Sequence, residues 1–348
     1  MARKPRTTDA ELSPALATAW SHTLDIAAGI RELRPWEHFA PDAILGVRDP
    51  ISGETDWCTV MGHDDEVYGV AIYSGDAGYE SLHRILHEEV DEFDAPIIQL
   101  CTTLVFGASA ELIPATKRLL KGLGRSYRGA AAWPELLVHT PGLLPAPPRD
   151  EATLRRLANA LTGLAKLAPW ATDDATGGAC QVPGHAWTTT FPFGDADRRT
   201  APLPKVGPRP VMTAPFDQLA ASKLRSSSSP RRGRWMVDWF SGMGVVDGPE
   251  AQGQPFFTTH LFLLDVDSDL MVGVNVGRVS TVVADLQQLV LDSAARQGLP
   301  NALWVRRREL VPALQPLAQA LGVSIEHAPE LAEVAQHVFG EMMGFLGG

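Results

Sequence analysis

The sequence predicts an α+β domain followed by an α/β domain with a mixed sheet. Short β-like runs bounded by turn residues come early in the chain and alternate with helical patterns. A segment rich in Gly, Pro, Asp and Thr, 169–215, then interrupts these patterns. Such a long stretch inside one compact domain would be unusual, so it indicates a connection between domains. The C-terminal part has the order β-β-β-α-β-α-β-α, which gives a sheet with antiparallel and parallel strands.

These observations divide the chain into a first domain over 1–168, a connection with short strands over 169–215, and a second domain over 216–348. In the first domain, helices are predicted over 10–33, 79–90, 111–124 and 151–168, and strands over 43–47, 56–62, 66–75 and 95–107. A Pro-rich passage, 131–150, leads into the last of these helices. The connection contains one strand-like run, 186–193.

In the second domain the patterns have clearer ends. Helices are predicted over 216–224, 279–298, 310–322 and 329–346, and strands over 234–240, 258–266, 271–277, 301–305 and 323–328. Two of these helices end at a glycine, Gly298 and Gly322, which is a common helix stop signal.

Composition limits the classes of function. The chain has 348 residues, 45% of them hydrophobic, and a net charge of −11 that opposes whole-molecule attraction to nucleic acid or anionic membrane. No apolar run reaches the ~18 residues of a transmembrane helix, and the start lacks the pattern of a signal peptide. The cysteines, Cys58, Cys101 and Cys180, are odd in number and form no CxxC pair, which suits a reducing cytoplasm. We therefore expect a cytoplasmic protein.

Several longer segments carry a family resemblance. The N-terminal runs VMGHDDEVYGVAIYSGDAGYESL and YRGAAAWPELLVHTPGLLPAP resemble a bacterial domain-of-unknown-function family. The C-terminal run GLPNALWVRRRELVPALQPLAQALGVSIEHAPEL resembles a second such family, and the first is often fused ahead of it. The element order of the C-terminal half also resembles a ribonuclease H-like core. Neither family implies an established activity, and a fold alone does not assign one.

The most conspicuous acidic motif is LLDVDSDLMVGV, in which Asp265, Asp267 and Asp269 alternate with other residues. The spacing copies the first ligands of an EF-hand loop, but that loop needs Gly at position 6 and Glu at position 12, where this chain has Leu270 and Val276. We favour a turn between two strands, because Asp and Ser side chains bond their own backbone there.

An enzymatic alternative uses the same acids. In ribonuclease H-like enzymes a first-strand Asp holds Mg²⁺ with carboxylates from later elements, and Asp265 resembles that Asp, with Asp267 beside it. The next carboxylate is expected after strand 301–305, but Arg306, Arg307 and Arg308 stand there. Glu309, Glu330 and Glu333 are the acids that could substitute. Three cations beside a dication are electrostatically unfavourable.

Two histidines form a possible metal site. His83 and His87 are four residues apart on a predicted helix, a spacing that can place two imidazoles on one metal ion. The segment HRILHEE matches no known metalloenzyme motif. Because 80–94 carries six acids and one Arg, we favour a solvent-exposed helix face.

A basic segment is the third candidate. Its cations are Lys223, Arg225, Arg231, Arg232 and Arg234, and the later Arg306, Arg307 and Arg308 could add to them. With Trp235 and Trp239 nearby, these residues could hold a phosphate backbone and stack a base. A mobile loop followed by an ordinary strand is the simpler interpretation.

The sequence thus predicts a non-enzymatic protein that binds another protein or a polymer through a ribonuclease H-like scaffold lacking its acidic centre. The alternatives are a divergent metal-dependent nuclease or phosphoryl-transfer enzyme and a nucleic-acid-binding protein. No cofactor is predicted, except Mg²⁺ under the enzymatic alternative, and no membrane partner. The observation behind this prediction is VRRRE, 305–309, where a metal ligand is expected.

Overall fold

The computed structural model describes residues 12–63, 67–87, 94–173, 180, 184–190, 199–208, 211–227, 231–246 and 255–346. The chain forms two compact units. Unit 1 comprises Met1–Val90, Ile98–Pro141 and Pro145–Val206, and unit 2 comprises Asp91–Ile97, Gly142–Leu144 and Gly207–Gly348. The predicted first domain ended at 168, whereas unit 1 also takes in two strands of the predicted connection.

Up to residue 206 the described chain contains both helices and strands. The helices are α1 (Pro14–Leu33), α2 (Gly75–Leu86), α3 (Ala95–Ile98), α4 (Pro114–Gly122) and α5 (Glu151–Asp173). The strands are β1 (Leu45–Arg48), β2 (Thr55–Met61), β3 (Tyr68–Ser74), β4 (Cys101–Gly107), β5 (Trp133–His139), β6 (His185–Thr190) and β7 (Arg199–Pro202).

The strands of unit 1 form one mixed sheet. Among the described residues its order is β5-β4-β3-β2-β1-β6-β7, with β1 and β6 parallel and the other neighbours antiparallel. The apolar faces of α1 and α5 pack on one side of this sheet, and their buried side chains include Trp20, Leu24, Leu157, Leu161 and Leu164. On the other side, Tyr79 and Leu82 of α2 cover Trp57, Ala71 and Tyr73. The sheet therefore has helices on both faces.

Two elements in the first half of the chain differ from the sequence prediction. The run 95–107 was predicted as one strand, but α3 forms first and β4 starts only at Cys101. The Pro-rich passage contains a strand that was missed, β5, in which Pro134 lies opposite Phe106 of β4. Proline is compatible with β5 because this strand lies at the edge of the sheet that the described residues form, where an amide hydrogen is not required.

In unit 2 the strands are β8 (Arg234–Val246), β9 (Phe256–Asp265), β10 (Leu270–Gly277), β11 (Ala302–Val305) and β12 (Ser324–His327). The helices are α6 (Gln218–Arg225), α7 (Val282–Gln297), α8 (Leu310–Leu321) and α9 (Ala332–Leu346). Gly298 follows α7 with φ of 89° and Gly322 follows α8 with φ of 67°, so both predicted glycine stops are confirmed.

The described strands of unit 2 form a mixed sheet in the order β10-β9-β8-β11-β12. The neighbours β10, β9 and β8 pair antiparallel, while β8, β11 and β12 pair parallel. Helix α9 packs on the face that presents Met236, Phe240, Phe262 and Leu264. Helix α7 lies against the opposite face so closely that a Cβ added to Gly273 would lie 2.7 Å from Ser293 Oγ. The predicted mixed sheet flanked by helices is confirmed.

Candidate functional site

A buried carboxylate lies in the middle of the first strand of unit 2. Asp238 is on β8, opposite Phe262 of β9, and its exposed fraction is 0%. Its Oδ1 accepts a hydrogen bond from the backbone N–H of Trp239 at 2.8 Å. Burying a carboxylate in an apolar sheet is costly unless cations or several donors compensate it. The side chains that face Asp238 therefore decide what this position can do.

Two arginines from the neighbouring strand compensate this carboxylate. Arg306 Nε donates to Asp238 Oδ2 at 2.7 Å, and Arg307 Nε donates to Asp238 Oδ1 at 2.8 Å. The register explains the placement, because Trp304 of β11 lies opposite Met236 of β8 and parallel strands advance together. The residue two positions beyond Trp304 thus arrives level with Asp238.

Arg307 is itself almost completely buried and makes further contacts. Its Nη2 donates to the carbonyl of Trp239 at 2.9 Å, and its guanidinium carbon lies 4.2 Å from the centre of the Trp239 ring. Its Nη1 forms an ion pair with Asp94 Oδ2, a residue of the short segment Asp91–Ile97 that belongs to unit 2. Burial alone would lower the pKa of Arg307, but the carboxylates of Asp238 and Asp94 outweigh it and raise that pKa above its ordinary value.

We call Asp94, Asp238, Arg306 and Arg307 the ion network. Its formal charges cancel, with two carboxylates and two guanidiniums, and each guanidinium faces a carboxylate at hydrogen-bonding distance. The network lies where the chain order reverses in the sheet, since β8 is followed by β9 on one side and β11 by β12 on the other. In open α/β sheets ligands commonly bind at such a point. In unit 2 the side chains of the ion network fill this point of the sheet.

The acids of the predicted metal motif lie at a different place. Asp265 ends β9, the second strand of unit 2, and its Oδ1 accepts from Asp267 N at 3.0 Å. Asp267 Oδ1 accepts from Arg234 Nε at 2.8 Å, and this contact holds the pKa of Asp267 below its usual value. Asp269 has a φ of 55°, the left-handed conformation of a turn residue. Asp265 thus lies on the second strand of unit 2, and the first strand carries Asp238.

The predicted histidine pair is stacked. The rings of His83 and His87 lie 4.0 Å apart with an angle of 17° between their planes, and His87 Nδ1 is 2.8 Å from the carbonyl of His83. The solvent-exposed face predicted for 80–94 is wrong at two residues, because Arg84 is buried against Glu80 and Asp94 is buried in the ion network. Asp91 lies outside the described residues. In the described part of the chain, no three His, Cys, Asp or Glu side chains are grouped to hold a metal ion.

The eight predicted nucleic-acid cations fall into two classes. Arg234, Arg306 and Arg307 form ion pairs with carboxylates. The exposed cations are Lys223, Arg225, Arg231, Arg232 and Arg308. Arg231 already donates to the carbonyls of Leu321 and Gly322 at the C-terminal end of α8, where a cation is favourable.

Neither carboxylate of the ion network was predicted from the sequence. A signal for Asp238 was present, because WMVDWF places one acid inside an apolar strand and such a residue needs a cationic partner. The run VRRRE supplies the cations, yet only the pairing of β8 with β11 brings them to Asp238. Asp94 gave no such signal, since it follows a run of other acids.

Unit 1 also buries a carboxylate beside an arginine. Asp56 of β2 has an exposed fraction of 0%, and its Oδ1 accepts from Arg156 Nε of α5 at 2.7 Å. Arg156 also donates through Nη1 to Glu54 Oε2 at 2.8 Å. Burial raises the pKa of Asp56 to about 6, an effect that the attraction of Arg156 only partly offsets. Nearby, burial would raise the pKa of Asp49, but hydrogen bonds from Ser52 and Asn159 lower it overall.

Comparison with protein families adds two matches. Residues 20–176 match the model described as "Domain of unknown function (DUF7309)", and residues 221–343 match the one described as "Domain of unknown function (DUF6930)". The chain is similar to two families in succession. Both have unknown function, as the resemblance in the sequence implied. No curated protein matches the chain. Among the helices of the described residues, none has the length and apolar character to cross a bilayer.

Proposed function

We propose that unit 2 is a ribonuclease H-like domain without a catalytic centre and that the protein acts as a non-enzymatic binding or scaffold protein. The observation that carries this proposal is the pair of hydrogen bonds from Arg306 and Arg307 to the first-strand carboxylate, Asp238. The strand order β10-β9-β8-β11-β12, with the first strand central and helices on both faces, supports the ribonuclease H-like assignment.

Electrostatics argues against a metal ion at Asp238. Two unit charges about 4 Å apart interact by about 4 kcal/mol at an effective dielectric constant of about 20, and a dication doubles that. A Mg²⁺ ion on Asp238 would meet both guanidiniums at close range, and the described residues group no three acidic or other metal-binding side chains there to offset them. Displacing Arg307 instead would take an ion-pair partner from Asp94, which is 1% exposed, and removing one partner of a buried charge is strongly destabilising.

The enzymatic alternative through Asp265 and Asp267 gains no support from the geometry. Asp267 is already paired with Arg234, and Asp265 accepts the backbone amide of Asp267. Glu330 and Glu333, the later acids that the sequence offered, are exposed at the start of the C-terminal helical segment. The turn that contains Asp265 and Asp267 connects strands β9 and β10. Asp265 accepts a hydrogen bond from the backbone of this turn, and Asp267 accepts one from Arg234.

A nuclease assay with matched variants tests the proposal. Wild-type protein is incubated with Mg²⁺ or Mn²⁺ and with single-stranded, duplex and RNA–DNA hybrid substrates, beside Asp238→Asn, Arg306→Gln and a double variant Asp265→Asn with Asp267→Asn. We expect every sample to show no more hydrolysis than a control without protein. Tb³⁺ luminescence excited through tryptophan checks ion binding near Trp239, and no signal dependent on Asp238 is expected.

Metal-dependent hydrolysis that Asp238→Asn or the double variant abolishes would overturn the proposal. Arg306→Gln guards against a folding artefact. Its side chain is 16% exposed, so its loss costs less than that of Arg307, and circular dichroism reports whether each variant is folded.

A second candidate function is nucleic-acid binding through the exposed cations Lys223, Arg225, Arg232 and Arg308. The observation that favours it is the exposure of these side chains in a chain whose net charge is −11. Binding of this kind weakens steeply with salt, because each neutralised phosphate releases counterions. Filter binding at rising NaCl with Lys223→Glu and Arg232→Glu tests it. Retention that is unchanged by these reversals would rule out this surface.

A further inference from the structure

The outermost strand of the unit 2 sheet carries an unusual exposed surface. Within the described residues, β10 pairs with β9 alone and forms one edge of the sheet. Its exposed apolar side chains are Leu270, Met271, Val274 and Val276, with exposed fractions of 64%, 41%, 47% and 52%. Proteins usually protect an edge strand with Lys, Pro or a covering segment. The strand LMVGVNVG contains no charged residue and no proline.

The free side of this strand presents backbone groups as well. Val266 N donates to Arg234 O on the β8 side at 2.9 Å, so alternation along β9 also directs the backbone groups of Phe262 and His260 towards β8. Their partners on β10 are Val274 and Val276, whose N–H and C=O groups consequently point away from β9. Consistent with this, Val276 N donates to the side chain of its neighbour Asn275, Oδ1, at 2.8 Å.

We propose that β10 pairs antiparallel with β10 of a second copy of this chain, forming a symmetric dimer with one continuous sheet. A two-fold axis at Asn275 sets Val274 opposite Val276 of the second copy, so that the two residues can exchange N–H···O=C hydrogen bonds. The N–H of Val276 then gives up its bond to Asn275 Oδ1 in favour of the partner carbonyl. The four valine side chains then meet on one face of the sheet. This proposal does not depend on the proposed function.

The absence of charged residues on β10 favours a second copy of the same strand as its partner. An uncharged, apolar edge fits an equally uncharged strand, and β10 is such a strand. Pairing about Asn275 brings no charged residues of Leu270–Gly277 together, so like-charge contacts between cross-strand neighbours do not arise. The chains as wholes repel each other, at −11 each. Added salt should therefore strengthen the dimer by screening that repulsion, the reverse of its effect on nucleic-acid binding.

Sedimentation velocity over a hundredfold range of concentration tests the proposal. Expected is a species of about twice 37.5 kDa for the wild type, with dissociation weakened by added salt. A double variant, Val274→Lys with Val276→Lys, should weaken dimerisation at least tenfold, as the two lysines of each strand would face those of the other. The matched control, Ile51→Lys with Leu219→Lys, changes two equally exposed apolar residues elsewhere and should leave the dimer intact.

Three outcomes overturn it: a monomer at all concentrations, a dimer that persists in the β10 variant, and a dimer that both variants lose equally. A cross-link gives an independent check. Residues opposite each other in a non-hydrogen-bonded pair have Cα atoms about 4.5 Å apart, within the range of a disulfide. Asn275→Cys in a Cys180→Ser background should therefore cross-link under mild oxidation, while Leu219→Cys in the same background should not.

Discussion

Each unit of this protein buries an aspartate beside arginine, but the two settings differ. In unit 2, Asp238 accepts hydrogen bonds from Arg306, Arg307 and a backbone amide. In unit 1, Asp56 accepts hydrogen bonds from Arg156 and Ser74, and Arg156 also donates to Glu54. The pKa of Asp56 rises to about 6, because one shared guanidinium offsets only part of the cost of burial.

Burial and an arginine neighbour therefore do not together define what a carboxylate does. The balance of charges decides it. In the ion network two guanidiniums match two carboxylates, and the pKa of Arg307 is raised because both acids favour its charged form. In unit 1 the acids Asp49, Glu54 and Asp56 share Arg156, so a proton on Asp56 relieves an excess of negative charge. We therefore expect the ion network to stabilise the fold of unit 2, and the protonation of Asp56 to make the stability of unit 1 depend on pH.

The largest expected effect comes from breaking the ion network. Arg307→Met should lower the free energy of unfolding by about 3–5 kcal/mol, because it leaves Asp94 and Asp238 buried with less compensation. Urea unfolding at neutral pH measures this. The control Arg308→Met removes the neighbouring exposed cation and should change stability by less than about 0.5 kcal/mol. Equal losses in the two variants would show that the network contributes nothing particular.

The pH dependence of Asp56 should give the next largest effect. Its folded pKa, about 6, lies above the unfolded value of 3.8. The stability linked to its proton is therefore fully present below pH 3.8 and is lost as pH rises through 6. A shift of this size corresponds to roughly 3 kcal/mol. Asp56→Asn should remove this decline when urea unfolding is compared between pH 4 and pH 7.

The quantity to compare is the change of the free energy of unfolding with pH, because Asp56→Asn also changes the surroundings of Arg156 at every pH. Asp49→Asn serves as the opposite control. The pKa of Asp49 is lowered in the folded state, so its contribution is present at neutral pH and is lost as pH falls towards and below 3.8. If the two variants change the slope in the same direction, the distinction between these aspartates is wrong.

The smallest expected effect concerns the acidic turn, which gives an exposed reference for both buried sites. Asp269 has a φ of 55°, a conformation that costs an L-residue about 1–2 kcal/mol and glycine much less. Asp269→Gly should raise the free energy of unfolding by up to about 0.5 kcal/mol, and Asp269→Val should lower it by about 1 kcal/mol. Thermal unfolding measures both. A loss of stability in the glycine variant would contradict a turn held only by backbone conformation.

Much of the fold was predictable because it follows from local chemistry. The elements of unit 2 follow the period of their apolar residues, and Gly298 and Gly322 end their helices where the left-handed or open backbone is needed. The predictions that failed depend on neighbours. Strand β5 was not predicted because it contains Pro134, which is tolerated at the edge of a sheet. The buried ion pair of Asp94 with Arg307 was not predicted because Asp94 follows other acids in the sequence. Periodicity contains no information on which strand lies beside which.

The two-part architecture, the order of elements in unit 2 and the turn at Asp267 could be predicted from local sequence, because propensity, periodicity and glycine chemistry act over a few residues. It also displayed the unexpected run Arg306–Arg308 after a strand. Local sequence could not predict that two of these arginines contact Asp238, 68 and 69 residues away in the chain, or that one of them contacts Asp94. The pairing of β8 with β11 brings the arginines to Asp238, and that pairing depends on burial of the whole sheet.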